Sequence, residues 1–204
     1  MDHVFVYPCG DNLYVNLTNR CPNDCEFCIR RGNDTVEGNE LWLDHEPSAQ
    51  EVIDQLHTHV NWEQVPEIVF CGFGEPMERL DVLLEVAQYL KRHGKHTRVN
   101  TNGLANLIHG RDITPECRGC IDTISISLNA SNAQAYDAVC HSIYGLQAFP
   151  ALLDFAKKAA LVVPHVMFSV VDTIGPAEIA RCQELADACG IPLRVRAFIE
   201  EGQA

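Results

Sequence analysis

Four apolar segments of this chain carry polar side chains at every second position, and that alternation limits the folds open to it. Arg98, Asn100 and Asn102 stand opposite Val99 and Thr101. Ser125, Ser127 and Asn129 stand opposite Ile124, Ile126 and Leu128, and Arg194 and Arg196 opposite Leu193, Val195 and Ala197. Asn16 and Thr18 stand opposite Leu13, Val15 and Leu17. Period-two patterning marks strands. The spacing places strands at Leu13–Thr18, Glu67–Cys71, Thr97–Thr101, Thr123–Leu128, His165–Val171 and Leu193–Phe198. Amphipathic helices fall between them at Ser48–Val60, Met77–His93, Ala133–Cys140, Leu146–Ala160 and Pro176–Cys189, with a shorter one near Leu104–His109. Strand–helix alternation implies a parallel sheet covered by helices. Strands buried on both faces should be apolar throughout. Here one face of four strands is polar, so that face lines a wet or ligand-filled lumen, which favours an incomplete barrel over an open doubly wound sheet. A full eight-unit barrel needs ~250 residues, and 204 residues leave room for about six units. The expected fold is therefore α/β: a partial TIM-type (β/α)6 barrel, parallel strands with outer helices. It forms a single domain over 1–204, with a short N-terminal segment (1–11) and a loop at 20–31. Chemistry in such folds collects at the carboxyl ends of the strands.

Charge narrows the partners. With 28 acidic and 15 basic residues the net charge is −13, which disfavours nonspecific nucleic-acid binding and anionic membrane surfaces. The longest apolar stretch, Ala159–Val171, is interrupted by Pro164, His165 and Ser169 and is too short to cross a bilayer. Asp2 and His3 stand where a signal peptide would carry cations, and a cytoplasmic protein is expected.

Ten cysteines then need a reason, and three of them, Cys21, Cys25 and Cys28, fall in one C-x3-C-x2-C run. In a reducing compartment clustered thiols point to a metal or to catalysis. The run follows the first strand, and a loop can converge three thiolates on one centre. Structural zinc normally takes four protein ligands in paired knuckles, and His45 or a distant cysteine could supply a fourth. An iron–sulfur cluster held by only three cysteines leaves one iron open to substrate.

The cysteine run resembles the signature of the radical S-adenosylmethionine (radical SAM) superfamily, and further matches cover nearly the whole chain. Glu67-Ile-Val-Phe-Cys-Gly72-Phe-Gly74-Glu75-Pro76 looks like the family's second strand and its glycine-glutamate-proline motif. Arg98-Val-Asn100-Thr101-Asn102-Gly103 and Ile124-Ser-Ile-Ser127-Leu-Asn129 look like its third and fourth strands. At finer resolution the chain resembles the small TatD-associated radical SAM proteins. The residues behind this are Leu13-Tyr-Val-Asn-Leu-Thr-Asn-Arg20, Leu41-Trp-Leu43, Ser169-Val-Val-Asp172 and Arg194-Val-Arg196.

The resemblance implies a [4Fe–4S] cluster bound by Cys21, Cys25 and Cys28, with S-adenosyl-L-methionine on the remaining iron. Reductive cleavage of that cofactor would yield a radical that abstracts hydrogen from a substrate. Phe27 would flank the adenine. Gly72, Gly74, Glu75 and Pro76 would offer strand-end groups to the methionine amine, and Asn102, Ser127 and Asn129 would contact carboxylate or ribose. The common Gly-Gly-Glu-Pro reads Phe73-Gly-Glu-Pro here, which puts a side chain where backbone normally approaches the ligand. A flavodoxin- or ferredoxin-type electron donor and a TatD-family partner are also implied. Other activities share the barrel and motifs, among them deazapurine synthase-like and glycyl-radical activase-like ones. A noncatalytic iron–sulfur carrier and a zinc-binding module are the non-enzymatic alternatives.

Several residues read two ways. Arg194 and Arg196 suit a substrate carboxylate or phosphate, or a protein carboxylate. Asp172 could position substrate or cap the helix at Pro176. Cys117 and Cys120 form one C-x2-C knuckle, either a structural pair or a second metal or redox site. Cys71, Cys140, Cys182 and Cys189 read as small core residues. Lys91–His96 reads as a solvated turn. Arg30 and Arg31 read as a docking patch for an acidic electron donor or as surface charge.

Overall fold

The computed structural model describes residues 4–198. Strand β1 (Val6–Cys9) turns back through Gly10 onto β2 (Asn12–Val15) as an antiparallel hairpin. A small hairpin of β3 (Thr35–Val36) and β4 (Asn39–Glu40) follows. Then come α1 (Ala49–Thr58), β5 (Glu67–Phe70), α2 (Leu80–Arg92), β6 (His96–Thr101), α3 (Ala105–His109) and β7 (Thr123–Ser127). The remaining elements are α4 (Ala133–Cys140), α5 (Ala148–Ala159), β8 (His165–Val171), α6 (Pro176–Cys189) and β9 (Leu193–Arg196). The main sheet runs β1-β2-β5-β6-β7-β8-β9, parallel throughout except for β1. Because β1 and β9 are unpaired with each other, the six parallel strands form a barrel open along one side.

The two faces of the sheet differ as the alternation requires. Val15, Ile68, Phe70, Val99, Ile124, Ile126 and Val170 pack in one core with Val52, Leu56, Leu83, Val86, Leu90, Leu152, Phe155 and Ala186 from the helices. The strand registers carry Asn16, Cys71, Asn100, Ser125, Ser127, Ser169 and Arg194 along the opposite, lumen face. Cys71 is thus a lumen residue, bonded to Asn100, and not the core filler expected. The other three expected core cysteines pack against the main core, Cys140 and Cys182 fully buried and Cys189 partly.

Strand β1 falls in the segment read as an N-terminal tail. Pro8 argues against a strand in sequence, yet β1 is an edge, where a missing N–H breaks no second ladder. The helix expected from Met77 begins as a 3-10 turn, Pro76–Arg79, before α2. The basic run at 91–96 is structural: Lys91 Nζ bonds both Asp122 oxygens at 2.7 and 2.8 Å. Lys95 is buried and donates to the Glu63 and Val65 carbonyls. No helix among the described residues is long and apolar enough to cross a membrane.

Helix α1 starts on a capping box, with the Ser48 hydroxyl accepting from Glu51 N–H and the Glu51 carboxylate accepting from Ser48 N–H. Losing an N-cap of this kind should lower the thermal midpoint of Ser48→Ala by about 2–4 °C. Calorimetry checks this, and an unchanged midpoint would show that packing alone holds the helix start.

Candidate functional site

The cysteine loop leaves β2 and is held on three sides. From α4, the Cys140 and Val139 carbonyls accept the Asp24 and Glu26 N–H groups at 2.9 and 3.0 Å. Ile143 N–H reaches Pro22 O, and Asn23 Nδ2 donates to the buried Tyr136 hydroxyl at 2.9 Å. From within the loop, Arg30 donates to the Asn19 and Asn23 carbonyls, and Arg31 to those of Cys25 and Asp24. Both arginines therefore brace the loop they follow, a role that spacing alone did not show. From below, Asn102 Nδ2 lies 3.8 Å from Cys21 Sγ, which brings the end of β6 to the first cysteine.

Burial pushes the Cys21 thiol up to about 12 and also raises Cys28. Cys25 is raised by its hydrogen bond with Cys140 and by burial. Among the described residues no three Cys, His, Asp or Glu groups already surround one metal position. The donor chemistry nonetheless suits a thiolate-held cation centre, because a bound cation reverses the burial penalty on ligating thiols. Two orphaned acceptors strengthen the fit. Asn129 Oδ1 and Asn23 Oδ1 are buried without a protein partner. Asn129 takes a left-handed backbone (φ 59°) and donates through Nδ2 to Cys140 Sγ at 3.5 Å, which sets it beside the loop.

The Gly72–Pro76 segment lies against the end of β2. A Cβ on Gly72 would meet Asn16 Oδ1 at 2.1 Å, and one on Gly74 would meet the Thr18 carbonyl at 2.3 Å. These glycines are thus required by protein contact, whatever ligand they also admit. Phe73 turns away into a small separate core with Tyr7, Val36 and Leu41, its ring 5.0 Å from that of Trp42. The departure from Gly-Gly-Glu-Pro therefore leaves the strand end unobstructed.

Glu75, within the segment expected to offer strand-end groups to the cofactor, is held as an internal brace. Its carboxylate accepts from Thr101 Oγ1 and Asn102 N–H at 2.7 Å each and from Met77 N–H at 3.1 Å. Its own N–H and C=O are taken by Arg20 O and Glu78 N–H. Asn102 is partly committed too, its Oδ1 accepting from Leu104 N–H. Pro76 is buried at the start of the 3-10 turn, Phe27 is half-buried against the main core, and Ser127 is half-buried on the lumen face.

Burial lifts the Glu75 carboxyl from 4.5 to about 7 despite these donors. The folded state therefore holds this proton more tightly than the unfolded one. The associated stability is fully present below 4.5 and is lost as pH rises through about 7. Thermal midpoints of the cluster-free protein should fall over that window, and Glu75→Gln should remove the part of the slope due to this site. Identical slopes in the two proteins would refute the assignment.

The family model of the radical SAM superfamily matches residues 15–180. The chain belongs to the radical SAM superfamily. Among curated relatives it is similar to a probable dual-specificity RNA methyltransferase RlmN of Prochlorococcus marinus, 30% identical over 131 residues, covering 60% of this chain and 35% of that protein. It is also similar to a probable GTP 3',8-cyclase of Thermococcus kodakarensis, 25% identical over 188 residues, covering 90% of this chain and 55% of that protein. The chain thus spans between about a third and about half of these relatives. Among solved structures, Streptococcus suis SuiB bound to precursor peptide SuiA superposes with TM-score 0.62 at 14% identity, covering 91% of this chain and 38% of SuiB. Methylornithine synthase (PylB) gives 0.62 at 13%, covering 95% and 55%. At such identities the likeness is one of fold, the partial barrel of radical SAM proteins.

The remaining candidates lie elsewhere in the radical SAM barrel. Asp172 sits on the turn after β8, where Oδ1 accepts the Phe198 N–H at 3.0 Å. The start of α6 is capped by Gly175 instead. Asp172 thus ties down the chain after β9. Cys117 is buried at the end of a 3-10 turn (Thr114–Cys117), and the buried Cys120 follows it with Sγ against the Glu116 and Cys117 carbonyls, which is the structural reading of that knuckle. Arg194 and Arg196 lie in β9 on the lumen side, in register with Ser169 and Val171.

Proposed function

We propose that this chain is a radical SAM enzyme that holds a [4Fe–4S] cluster on Cys21, Cys25 and Cys28, binds S-adenosylmethionine, and takes hydrogen from a substrate in its lumen. The observation that carries this is the match over residues 15–180 to a superfamily of such enzymes, together with a braced three-thiol loop at the carboxyl end of the barrel. A cluster held by Cys21, Cys25 and Cys28 would supply the electron for reductive cleavage of S-adenosylmethionine and so the hydrogen-abstracting chemistry.

The protein's part is position and electrostatics. Arg30, Arg31 and the α4 carbonyls brace the loop that carries the three cysteines. Phe27, which precedes the third cysteine and is half-buried against the core, would supply a ring for the adenine. The orphan Asn129 Oδ1, with the Ser127 hydroxyl and the Asn102 side chain, suits ribose hydroxyls or the methionine end. Glu75 acts at one remove by fixing Asn102 through its backbone N–H.

The finer reading, a small TatD-associated radical SAM protein with a TatD-family partner, is supported by Leu13–Arg20, Leu41-Trp-Leu43, Ser169–Asp172 and Arg194-Val-Arg196. An external flavodoxin- or ferredoxin-type donor supplies the electron. Ten free cysteines suit a reducing compartment such as the cytoplasm. The test is spectroscopic. Anaerobically reconstituted, reduced protein should show a paramagnetic cluster signal that changes when S-adenosylmethionine is added. A cluster blind to the cofactor would favour a simple electron carrier.

A further inference from the structure

We propose that the lumen beside β9 binds an anionic group of the substrate, a phosphate or a carboxylate, through Arg194 and Arg196. This rests on the reading of the lumen as the substrate chamber and specifies what enters it.

The first support is a shortage of partners. Acidic residues outnumber basic ones 28 to 15, and arginines elsewhere find carboxylates readily. Arg20 and Arg79 pair with Glu46, Arg31 with Asp24 and Arg181 with Glu178. Arg194 and Arg196 have no ion pair and no side-chain hydrogen bond among the described residues. Two guanidinium groups on alternate positions of one strand point the same way, toward the lumen rather than the helices.

The second support is what surrounds them. The Arg196 guanidinium feels the charges or dipoles of Cys71, Arg194, Tyr14 and Arg98, and Cys71 and Arg98 lie on the lumen face of β5 and β6. Only one of the cations in this group is neutralised: Arg98 Nε lies 3.1 Å from Glu67 Oε2, while Arg98 also reaches the Tyr14 hydroxyl at 3.5 Å. Arg194 and Arg196 are solvent-exposed at the open edge of the sheet, yet partial desolvation of the Arg196 guanidinium and the like charges of Arg194 and Arg98 lower its pKa. An unpaired cluster of this sort is unfavourable until an anion arrives, and the planar guanidinium fork matches both phosphate and carboxylate oxygens.

The third support is position along the sheet. The registers set Arg194 level with Ser169, Ser127 and Asn102, and Arg196 two positions nearer the carboxyl end. Asn102 also reaches the cysteine loop, so both arginines stand at the end of the lumen where the proposed chemistry would take place.

The test uses cluster-free full chain and calorimetric titration with sodium phosphate and, separately, sodium malonate, at ionic strength fixed with chloride. Wild type should bind at least one of these saturably. The double variant Arg194→Gln/Arg196→Gln should bind about tenfold or more weakly. A charge-matched surface control, Arg118→Gln/Lys157→Gln, should bind as wild type does. Preference for phosphate or for malonate identifies the source of the anion. Arg196→Lys, which keeps the charge and loses the fork, guards against a strand that fails to fold and should fall between wild type and the double variant. No saturable binding of either anion, or equal binding in wild type, double variant and control, overturns the proposal. Because neither cluster nor S-adenosylmethionine is present, a failure here leaves the radical chemistry standing, and failure of that chemistry leaves this binding result standing.

Discussion

Cys25→Ala should fail to assemble the proposed iron–sulfur centre while keeping the fold. Removing a ligand should weaken metal retention by more than the ~10–100-fold typical of groups that merely orient ligands. The loop itself should stay in place, because its docking to α4 runs through the Asp24 and Glu26 N–H groups and the Asn23 side chain. Iron and sulfide per chain, measured after anaerobic reconstitution, should fall to background, with circular dichroism unchanged. Cys140→Ala is the informative companion. Cys140 touches Cys25 and Asn129 but is no part of the three-cysteine run, so this variant should keep its iron. If Cys25→Ala kept a full complement and Cys140→Ala lost it, the ligand assignment would be wrong.

Gly74→Ala should be the most damaging single-methyl change in the site. The added Cβ would stand 2.3 Å from the Thr18 carbonyl oxygen and 2.6 Å from that of Arg20. Both are backbone atoms, and Arg20 O already accepts the Glu75 N–H at 2.8 Å. Relief requires the loop after β5 to part from the end of β2, at about 3 kcal/mol, or a thermal midpoint lower by ~6–12 °C. Gly72→Ala meets the Asn16 side chain instead. That side chain can rotate, at the expense of its 2.7 Å bond to Leu41 O, so the loss should be about 1 kcal/mol. Equal midpoints for the two variants would show that the contact at Gly74 relaxes freely.

What sequence could reveal here follows from which signals are periodic. The lumen face was legible because alternation in β6, β7 and β9 is a local property of consecutive residues, and the parallel registers carry it across the sheet unchanged. The three cysteines were legible because ligand spacing is local too. The braces were not. Arg30 and Arg31 act on carbonyls, and any arginine can do so, which leaves no side-chain pattern to read. Glu75 was placed at the cofactor because it lies inside a recognisable motif, whereas its partners Thr101 and Asn102 are 26 and 27 positions away. Cys140 fills the core as its sequence suggests, but its contact with Cys25 was not legible, because it depends on α4 docking against the loop. Lys95 looked solvated until it was found capping carbonyls 30 and 32 positions away.

The most direct test of the central claim is product formation. Reconstituted wild-type protein, reduced under anaerobic conditions and given S-adenosylmethionine, should release 5′-deoxyadenosine and methionine in equal amounts, and Cys25→Ala should release neither. A wild-type protein that takes up zinc in place of iron and sulfide, or that carries a full cluster yet yields no deoxyadenosine with any phosphate- or carboxylate-bearing candidate substrate, would contradict the account.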